Sequence, residues 1–351
     1  MKMTAVIFRN FLLHSQINYT CEYLGNHSKF SGDSVERFLK ESRLRPAFLW
    51  ERVRENIEYS ENGYLILDDT VLAHLDGGKI ECVKKQWSGA KHAIVNGIGI
   101  INLIYYNPEI DKFWLIDLRV YDPDRDHKTK NTHAKEMLLN ADRVKKIKYS
   151  SVLFDQYYAS QELMLVIGED LKKYYVTNIS SNRLVIDVDK LGGWDTLQLK
   201  SKAEIRSLLT QVQDLDLWTD NELENGLEVL LNGFPKKHTC KLYQLARSES
   251  RIDNLCTNNP SINNFKDIQK EAALRWKIEQ LHREEKQLTG IEKCQCRKQR
   301  SQRNFVILAS IVHFELQKLS TKLRKTVYQV KKSMLDDYMN KCMIHPIHYI
   351  G

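Results

Sequence analysis

The sequence predicts an α/β fold that is built on a mixed β-sheet. The chain has 351 residues, of which 42% are hydrophobic, enough to bury a core and to form roughly two or three structural units. From residue 64 onward, short apolar runs rich in β-branched and aromatic residues predict strands, and stretches with helical spacing separate the later runs. Helical patterns dominate the two ends of the chain.

Composition and charge exclude several classes of protein. The chain has 53 Lys and Arg residues against 45 Asp and Glu, a formal charge of +8. The seven cysteines are odd in number and form no C-x-x-C pair, so neither a disulfide framework nor structural zinc is expected. The longest apolar run, 305–314, is shorter than the roughly 20 residues that span a bilayer, and Arg9 and Asn10 interrupt the start before a leader-like segment forms. We expect a cytoplasmic protein with no membrane partner.

Residues 1–60 are predicted to form a helical N-terminal segment. Two short helices fall between residues 33 and 58, because Asp33 and Glu36 have the spacing of a capping box and Pro46 suits a first helical turn. Four cations lie on this pair: Arg37, Lys40, Arg43 and Arg45. A helix-turn-helix that enters a DNA groove has this pattern, but so does any small helical bundle. DNA contact by the segment therefore stays open.

Residues 61–180 are predicted to hold the first part of the core. Strands are expected at 64–70, 93–106 and 113–121, then a helix at 132–146, a strand at 150–155, a helix at 159–169 and a strand at 174–179. This order matches the ribonuclease H-like fold, a mixed sheet with one catalytic acid on its first strand and another at the end of its fourth. Those positions hold Asp68 or Asp69, and Asp155.

The remaining chain divides into two predicted parts. Residues 181–265 carry short β-like pieces and one helix near 202–213, which indicates an inserted β-rich subdomain. Residues 266–351 are expected to complete the core. They continue a helix that begins near Asn264 and runs to about Gln287, ended by Gly290, and then add further basic helices to about residue 338.

Positive charge is concentrated near the C-terminus. Residues 275–332 contain fifteen Lys or Arg and five Asp or Glu, a larger excess than that of the whole chain. Arg297, Lys298, Arg300 and Arg303 follow one another with no acid among them. A solvated helix pair usually mixes the two signs, so this pattern favours a nucleic-acid partner.

Three charged residues share one face of the helix in that region. Arg275, Glu279 and Lys286 lie at i, i+4 and i+11, within roughly 60° of arc at 100° per residue. An ordinary intrahelical ion pair, worth about 0.3–0.5 kcal/mol, explains the first two equally well. The spacing alone does not establish a function.

The same stretch resembles the signature of DDE transposases of bacterial insertion sequences. Their Tyr-Arg-Glu-Lys pattern has two, three and six intervening residues, and Arg275, Glu279 and Lys286 match it within RWKIEQLHREEKQLTG, with Ala272 at the Tyr position. Four further blocks are similar to the insertion-sequence-four superfamily, and within it to the seven-hundred-and-one branch: 66–70, 86–107, 152–160 and 294–304. The resemblance runs from about residue 30 to residue 320.

The resemblance implies a transposase, an endonuclease that cleaves DNA at the ends of an insertion sequence and joins those ends to a target. Asp68, Asp155 and Glu279 would be both the catalytic residues and the ligands of two Mg²⁺ or Mn²⁺ ions, since hard cations prefer carboxylate oxygens. The family's Asp-x-Thr pattern favours Asp68 over Asp69, but strand alternation sends the two side chains to opposite faces and leaves the choice open.

The resemblance also implies DNA contacts and an assembly. Arg275 and Lys286 are expected at phosphates beside the scissile bond, and Arg297, Arg300 and Arg303 at the DNA backbone. The partners would be double-stranded DNA of the transposon ends and target, bound by a homodimer across paired ends. Two alternatives stay open: a decayed or domesticated DNA-binding protein without strand transfer, and a simple metal-dependent nuclease.

Four other side chains are expected to have structural or surface roles. Trp87, Trp114 and Trp276 are interpreted as core or packing residues and not as wedges in DNA. His282, one turn beyond Glu279, is within reach of the active site but is more commonly a surface histidine.

Overall fold

The computed structural model describes residues 2–74, 79–89, 91–215, 220–248 and 251–344. Four helices precede the sheet: α1 (Ala5–His14), α2 (Cys21–Asn26), α3 (Gly32–Glu41) and α4 (Pro46–Val53). The next elements are β1 (Tyr64–Ala73), β2 (Lys84–Ser88), β3 (Ala93–Asn107), β4 (Lys112–Val120), α5 (Pro123–Asp126), α6 (Lys130–Leu139), β5 (Ser151–Phe154), α7 (Gln161–Leu165) and β6 (Tyr174–Ile179).

The described residues from 184 onward add five strands and seven α-helices. The first of these elements are β7 (Leu184–Asp187), α8 (Trp194–Leu199), α9 (Lys202–Ser207), β8 (Thr210–Gln211), α10 (Asp220–Asn225), β9 (Leu227–Leu231), β10 (Cys240–Ser248) and β11 (Arg251–Thr257). The last four helices are α11 (Phe265–Ala273), α12 (Trp276–Leu288), α13 (Gln299–Leu323) and α14 (Val327–Ile344).

Five strands form the centre of the sheet in the order β4, β3, β1, β5, β6. The neighbours β4, β3 and β1 are antiparallel, whereas β5 runs parallel to both β1 and β6. All four residues of β5 are buried, as expected for a central parallel strand that is covered on both faces. This arrangement is that of the ribonuclease H-like fold, and it confirms the predicted fold class.

The strands between residues 181 and 265 extend the same sheet. β6 pairs antiparallel with β11, and β10, β9, β7 and β8 continue outward from it. The described strands therefore form one sheet of eleven, and the β-rich stretch is continuous with the core. The predicted domain boundaries stay a prediction, but no break in strand pairing separates the two described parts.

Helix α13 is the centre of the helical layer. Every residue from Asn304 to Phe314 is buried, and α1, α3, α4, α12 and α14 pack around it. The apolar run at 305–314 is therefore core helix. Among the described residues, no helix combines the length and the apolarity that crossing a bilayer requires.

Two buried polar side chains join the N-terminal helices to the C-terminal ones. Asn304 Nδ2 donates to the carbonyls of Leu39 (2.7 Å) and Ser42 (2.8 Å) at the end of α3, and its Oδ1 accepts from Leu44 N (3.0 Å). Lys331 Nζ donates to the Leu12 and Leu13 carbonyls at 3.0 and 2.6 Å. These bonds satisfy carbonyls that the last helical turns leave without partners.

The predicted helix from Asn264 to Gln287 is two helices in the structure. α11 ends at Ala273 and α12 begins at Trp276, so Leu274 and Arg275 lie in a break between them. The predicted end is confirmed, because Gly290 follows α12 with a φ of 69°. A Cβ there would lie 2.3 Å from the Tyr19 ring, so both backbone conformation and packing require glycine.

Candidate active site

A cleft of about 460 Å³ opens where the ends of β5, β6 and β11 meet the start of α12. Parallel strands place the residues after their carboxyl ends along one edge of a sheet, and the break before α12 brings helix residues to the same edge. The polar and aromatic side chains that line it are Phe154, Asp155, Thr177, Asn178, Asp253, Arg275, Trp276 and Glu279. Two of the three predicted catalytic acids, Asp155 and Glu279, are therefore in one cleft.

The third acid, Asp68, lies beside this cleft on β1. The parallel register pairs Leu67 with Phe154, so Asp68 and Asp155 follow at neighbouring positions. The pKa of Asp68 is raised to about 7, chiefly by burial; Arg275 opposes this increase, and the negative charges of Asp69 and Asp155 add to it. Three acids that are far apart in the sequence thus lie near one another in the fold.

Arg275 joins two of these acids. Its Nη1 donates to Asp68 Oδ2 at 3.2 Å, and its Nη2 lies 2.8 Å from Glu279 Oε1. The side chain of Arg275 is 33% exposed, that of Glu279 35% and that of Asp68 16%. The predicted i, i+4 pair is present, but it belongs to a three-residue cluster that includes the sheet.

Asp155 has a different environment from the other two acids. It follows β5 with an extended backbone and precedes the turn at 156–158, so its half-buried side chain enters the cleft. Within the described residues, its carboxylate has no hydrogen bond or ion pair with another side chain. Both of its oxygens are available to a ligand.

Asp69 faces a separate set of partners. Lys130 Nζ donates to Asp69 Oδ2 at 2.6 Å, and Tyr158 OH donates to Asp69 Oδ1 at 2.8 Å. Successive residues of a strand point to opposite faces, so Asp69 is directed away from Glu279 and Asp68 toward it. Of the two residues, Asp68 is therefore the one on the side of the cleft, and its catalytic role stays a prediction.

The predicted DNA-binding cations lie in three environments. Lys286 Nζ donates to the Val71 carbonyl at 2.9 Å near the end of β1, outside the lining of the cleft. Arg297 and Arg300 are exposed and form no ion pair with any described residue. Arg303 is half-buried, 3.8 Å from Asp122 Oδ2. Arg297 and Arg300 are therefore the more accessible members of the predicted set.

The expectation for the tryptophans was wrong at two positions. Trp114 is in the core, but 61% of Trp87 and 51% of Trp276 are exposed. Trp87 is opposite Ile94 on the exposed hairpin of β2 and β3, and Trp276 lines the cleft with the Arg283 guanidinium 4.8 Å from its ring centroid. Trp87 is exposed because the end of the long hairpin of β2 and β3 extends beyond the core. An apolar residue in a β-rich run is therefore not always buried.

His282 also differs from the surface histidine that is the commoner case. Its Nε2 is buried and has no hydrogen-bond partner among the described residues. The pKa of His282 is lowered to about 3, chiefly by burial and also by the charges of Lys286 and Arg275, which favours the neutral ring.

The acids have the right chemistry for a hard divalent cation, but their present arrangement is incomplete. Among the described residues, no three acidic, His or Cys side chains are placed to hold one metal ion. The Arg275 guanidinium instead provides the positive charge between Asp68 and Glu279. Carboxylate oxygens are the ligands that Mg²⁺ and Mn²⁺ prefer, so the donor chemistry of these acids fits such an ion, although the positions of the described residues do not form a complete site.

The sequence did not predict Asp253, which lies in the cleft. It is on β11 and is buried, and Asn178 Nδ2 of β6 donates to its Oδ1 at 3.4 Å. The sequence indicated Asp253 only as an acid within RIDNLCT, an otherwise strand-like run. Its position near Asp155 depends on the pairing of β11 with β6. That pairing is not evident from the sequence.

Comparisons with known proteins found two matching family models and a similar solved structure. Residues 115–314 match the family model described as a transposase DDE domain, and residues 19–190 match the one described as a DDE superfamily endonuclease. The cryo-EM structure of a piggyBac transposase synaptic complex with hairpin DNA is similar to the chain, with 14% identity and a TM-score of 0.46 over 98% of this chain and 73% of that one. No curated protein matches the chain.

Proposed function

The chain belongs to the transposase DDE domain family, and we propose that it cleaves DNA at the ends of an insertion sequence and transfers those ends to a target. The family makes the chain an enzyme of the DDE transposase type. The finer assignment, to the insertion-sequence-four superfamily and its seven-hundred-and-one branch, rests on the sequence blocks described above.

One observation supports the proposal: Arg275 pairs with both Asp68 and Glu279, and Asp155 lines the same cleft as Arg275 and Glu279, although the three acids come from distant parts of the sequence. Like charges gathered in a partly buried site oppose ionisation, which agrees with the raised pKa of Asp68. A protein that keeps such a cluster needs cations to offset it. Ordinary packing gives no reason to gather these acids.

In the proposed mechanism, Asp68, Asp155 and Glu279 would hold two divalent ions, Mg²⁺ or Mn²⁺. Such ions would supply activation of a water or a 3′-hydroxyl and stabilisation of the leaving oxygen of the phosphodiester. Asp155, whose carboxylate oxygens are open, would contribute ligands, and Arg275 would bind a phosphate beside the scissile bond. Trp276 is exposed in the same cleft, where a nucleotide base has room to stack against it.

The proposal includes DNA as the partner on a wider surface. Arg297 and Arg300 would contact the backbone of the duplex, with Lys286 and Arg303 nearer the protein core. A homodimer across the paired ends is part of the proposal, because joining two ends to one target requires two active sites. The protein would bind both the element's ends and the target DNA.

The test is an incubation of purified protein, Mg²⁺ and the element's own end sequences with a plasmid target. Joined products would support a transposase. Cuts without joining would indicate a simple nuclease, and a gel shift without cuts a decayed or domesticated DNA-binding protein.

Two variants sharpen this test. Asp155→Asn removes one acid from the cleft and should abolish cleavage while DNA binding persists. Glu162→Gln is the matched control, because Glu162 is 68% exposed and pairs with Lys135 on the surface. If Asp155→Asn cut DNA as well as the control, the proposed site would be wrong.

A further inference from the structure

Arg275 occupies the position where the proposed function needs a metal ion. Its two terminal nitrogens reach different acids, Asp68 at 3.2 Å and Glu279 at 2.8 Å. A guanidinium keeps its charge at any pH at which a protein is folded. The positive charge between these acids is therefore removed only if the side chain moves.

Arg275 lies in the break between α11 and α12, at the edge of an open cleft of about 460 Å³. Its side chain is 33% exposed and makes no capping hydrogen bond to α12. The ion pairs with Asp68 and Glu279 hold it in place. Exchange of these two pairs for another anion therefore breaks no hydrogen bond that caps α12.

DNA supplies a competing partner for the guanidinium. A phosphodiester in the cleft presents the oxygen geometry that arginine binds with two parallel hydrogen bonds. When Arg275 turns to such a phosphate, Asp68 and Glu279 lose their counter-charge while Asp155 stays near. The remaining cluster of carboxylates then favours divalent cations over an empty site.

We propose that Arg275 is a displaceable counter-cation that couples DNA binding to metal binding at the catalytic acids. This inference rests on the proposed function and adds its regulation. Without DNA, the guanidinium competes with the metal for Asp68 and Glu279. With DNA, it binds phosphate and the acids take the metal. Because such coupling is reciprocal, bound metal also strengthens DNA binding by the same factor.

The direct test measures Mn²⁺ binding to the DNA-free protein. The EPR signal of the free Mn²⁺ that remains reports how much has bound. Arg275→Gln should bind Mn²⁺ more tightly than wild type, by roughly 5- to 150-fold, the range of typical coupling energies. Lys277→Gln is the matched control: it removes the same charge from the same helix, but Lys277 pairs with Asp111 at 2.5 Å, away from the acids. Its Mn²⁺ affinity should equal that of wild type.

The reciprocal test is the affinity for a fluorescent end duplex, measured by anisotropy with and without Mn²⁺ at constant ionic strength. Mn²⁺ should strengthen binding by wild type and Lys277→Gln more than by Arg275→Gln. Circular dichroism and urea unfolding check that each variant is folded. If Arg275→Gln does not fold, Arg275→Lys replaces it, with an intermediate Mn²⁺ affinity expected because an ammonium lacks the fork that holds both acids.

Two outcomes separate the inference from the proposed function. An Arg275 variant that binds Mn²⁺ no more tightly than Lys277→Gln would overturn the inference, and a weakening of Mn²⁺ binding by Asp155→Asn would in that case still support the metal site. Asp155→Asn can be introduced into wild type and into the Arg275 variant. If it left Mn²⁺ binding unchanged in both proteins, the metal site itself, and the proposed function with it, would be wrong.

Discussion

Asp68 and Asp69 are neighbours, yet their replacement should have opposite consequences. Asp68→Ala is expected to abolish DNA cleavage with little change in stability. Asp69→Ala is expected to reduce stability and to leave the cleavage chemistry of the folded protein largely intact. The difference follows from their partners, which lie on opposite faces of β1.

The magnitudes follow from the contacts. Asp69 accepts from Lys130 at 2.6 Å and from Tyr158 at 2.8 Å, and the Lys130 side chain is only 13% exposed. Breaking a buried ion pair costs about 3–5 kcal/mol, and the residual exposure lowers our expectation to about 2–4 kcal/mol for Asp69→Ala. Asp68→Ala removes a carboxylate whose charged form is disfavoured, and the ion pair between Arg275 and Glu279 remains. We therefore expect the free energy of unfolding to change by no more than about 1 kcal/mol.

Urea unfolding and a cleavage assay on an end duplex measure the two effects separately. Asp68→Ala should lose at least about 10³-fold in cleavage rate, because a lost metal ligand removes several kcal/mol of transition-state stabilisation. Tyr158→Phe is the control for Asp69: it removes one hydrogen bond, costs about 1 kcal/mol and keeps activity. Full activity in Asp68→Ala together with its loss in stable Asp69→Ala would refute the assignment.

Three further predictions concern the rest of the molecule. Charge reversal of Arg297 and Arg300 together should lower the slope of log affinity against log salt by about 2 in anisotropy titrations, whereas an unchanged slope would remove them from the DNA surface. Asn304→Ala should cost about 2–4 kcal/mol in urea unfolding, because three backbone groups lose their partner; a cost below 1 kcal/mol would contradict this. Burial lowers the pKa of Lys331 from 10.5 to about 8, so the unfolded chain binds more protons between those pH values and stability should rise with pH across that window. Lys331→Met should lack that rise in urea unfolding at pH 7.5 and 10; an equal rise in both proteins would contradict the effect.

The sequence predicted the central strands because each is a compact apolar run. The predicted strand at 174–179 coincides with β6, and that at 93–106 differs from β3 by one residue. β2 was not predicted, because KKQWS is mostly polar and is held by its pairing with β3. Local composition therefore identified the buried strands, and pairing partners determined the exposed one.

The candidate site was predicted less completely than the fold. The strand order identified Asp155, and the family spacing identified Arg275 and Glu279; all three line the cleft. It did not indicate the contact between Arg275 and Asp68, because helical periodicity describes neighbours on one helix and gives no information about the sheet beneath it. The break before Arg275 was also missed, since residues 264–287 contain neither Gly nor Pro.

The packing of α1, α3 and α4 against α13 has a consequence for the spacing of sequences in a bound transposon end. The cations of α3 are held at a set distance from the cleft by this packing, so if they contact DNA, the distance along the DNA from that contact to the cleavage point is fixed. Inserting about five base pairs between the DNA sequence that α3 binds and the phosphodiester that is cut would rotate that phosphodiester to the opposite side of the duplex. DNA with this insertion should be bound as before but not cleaved.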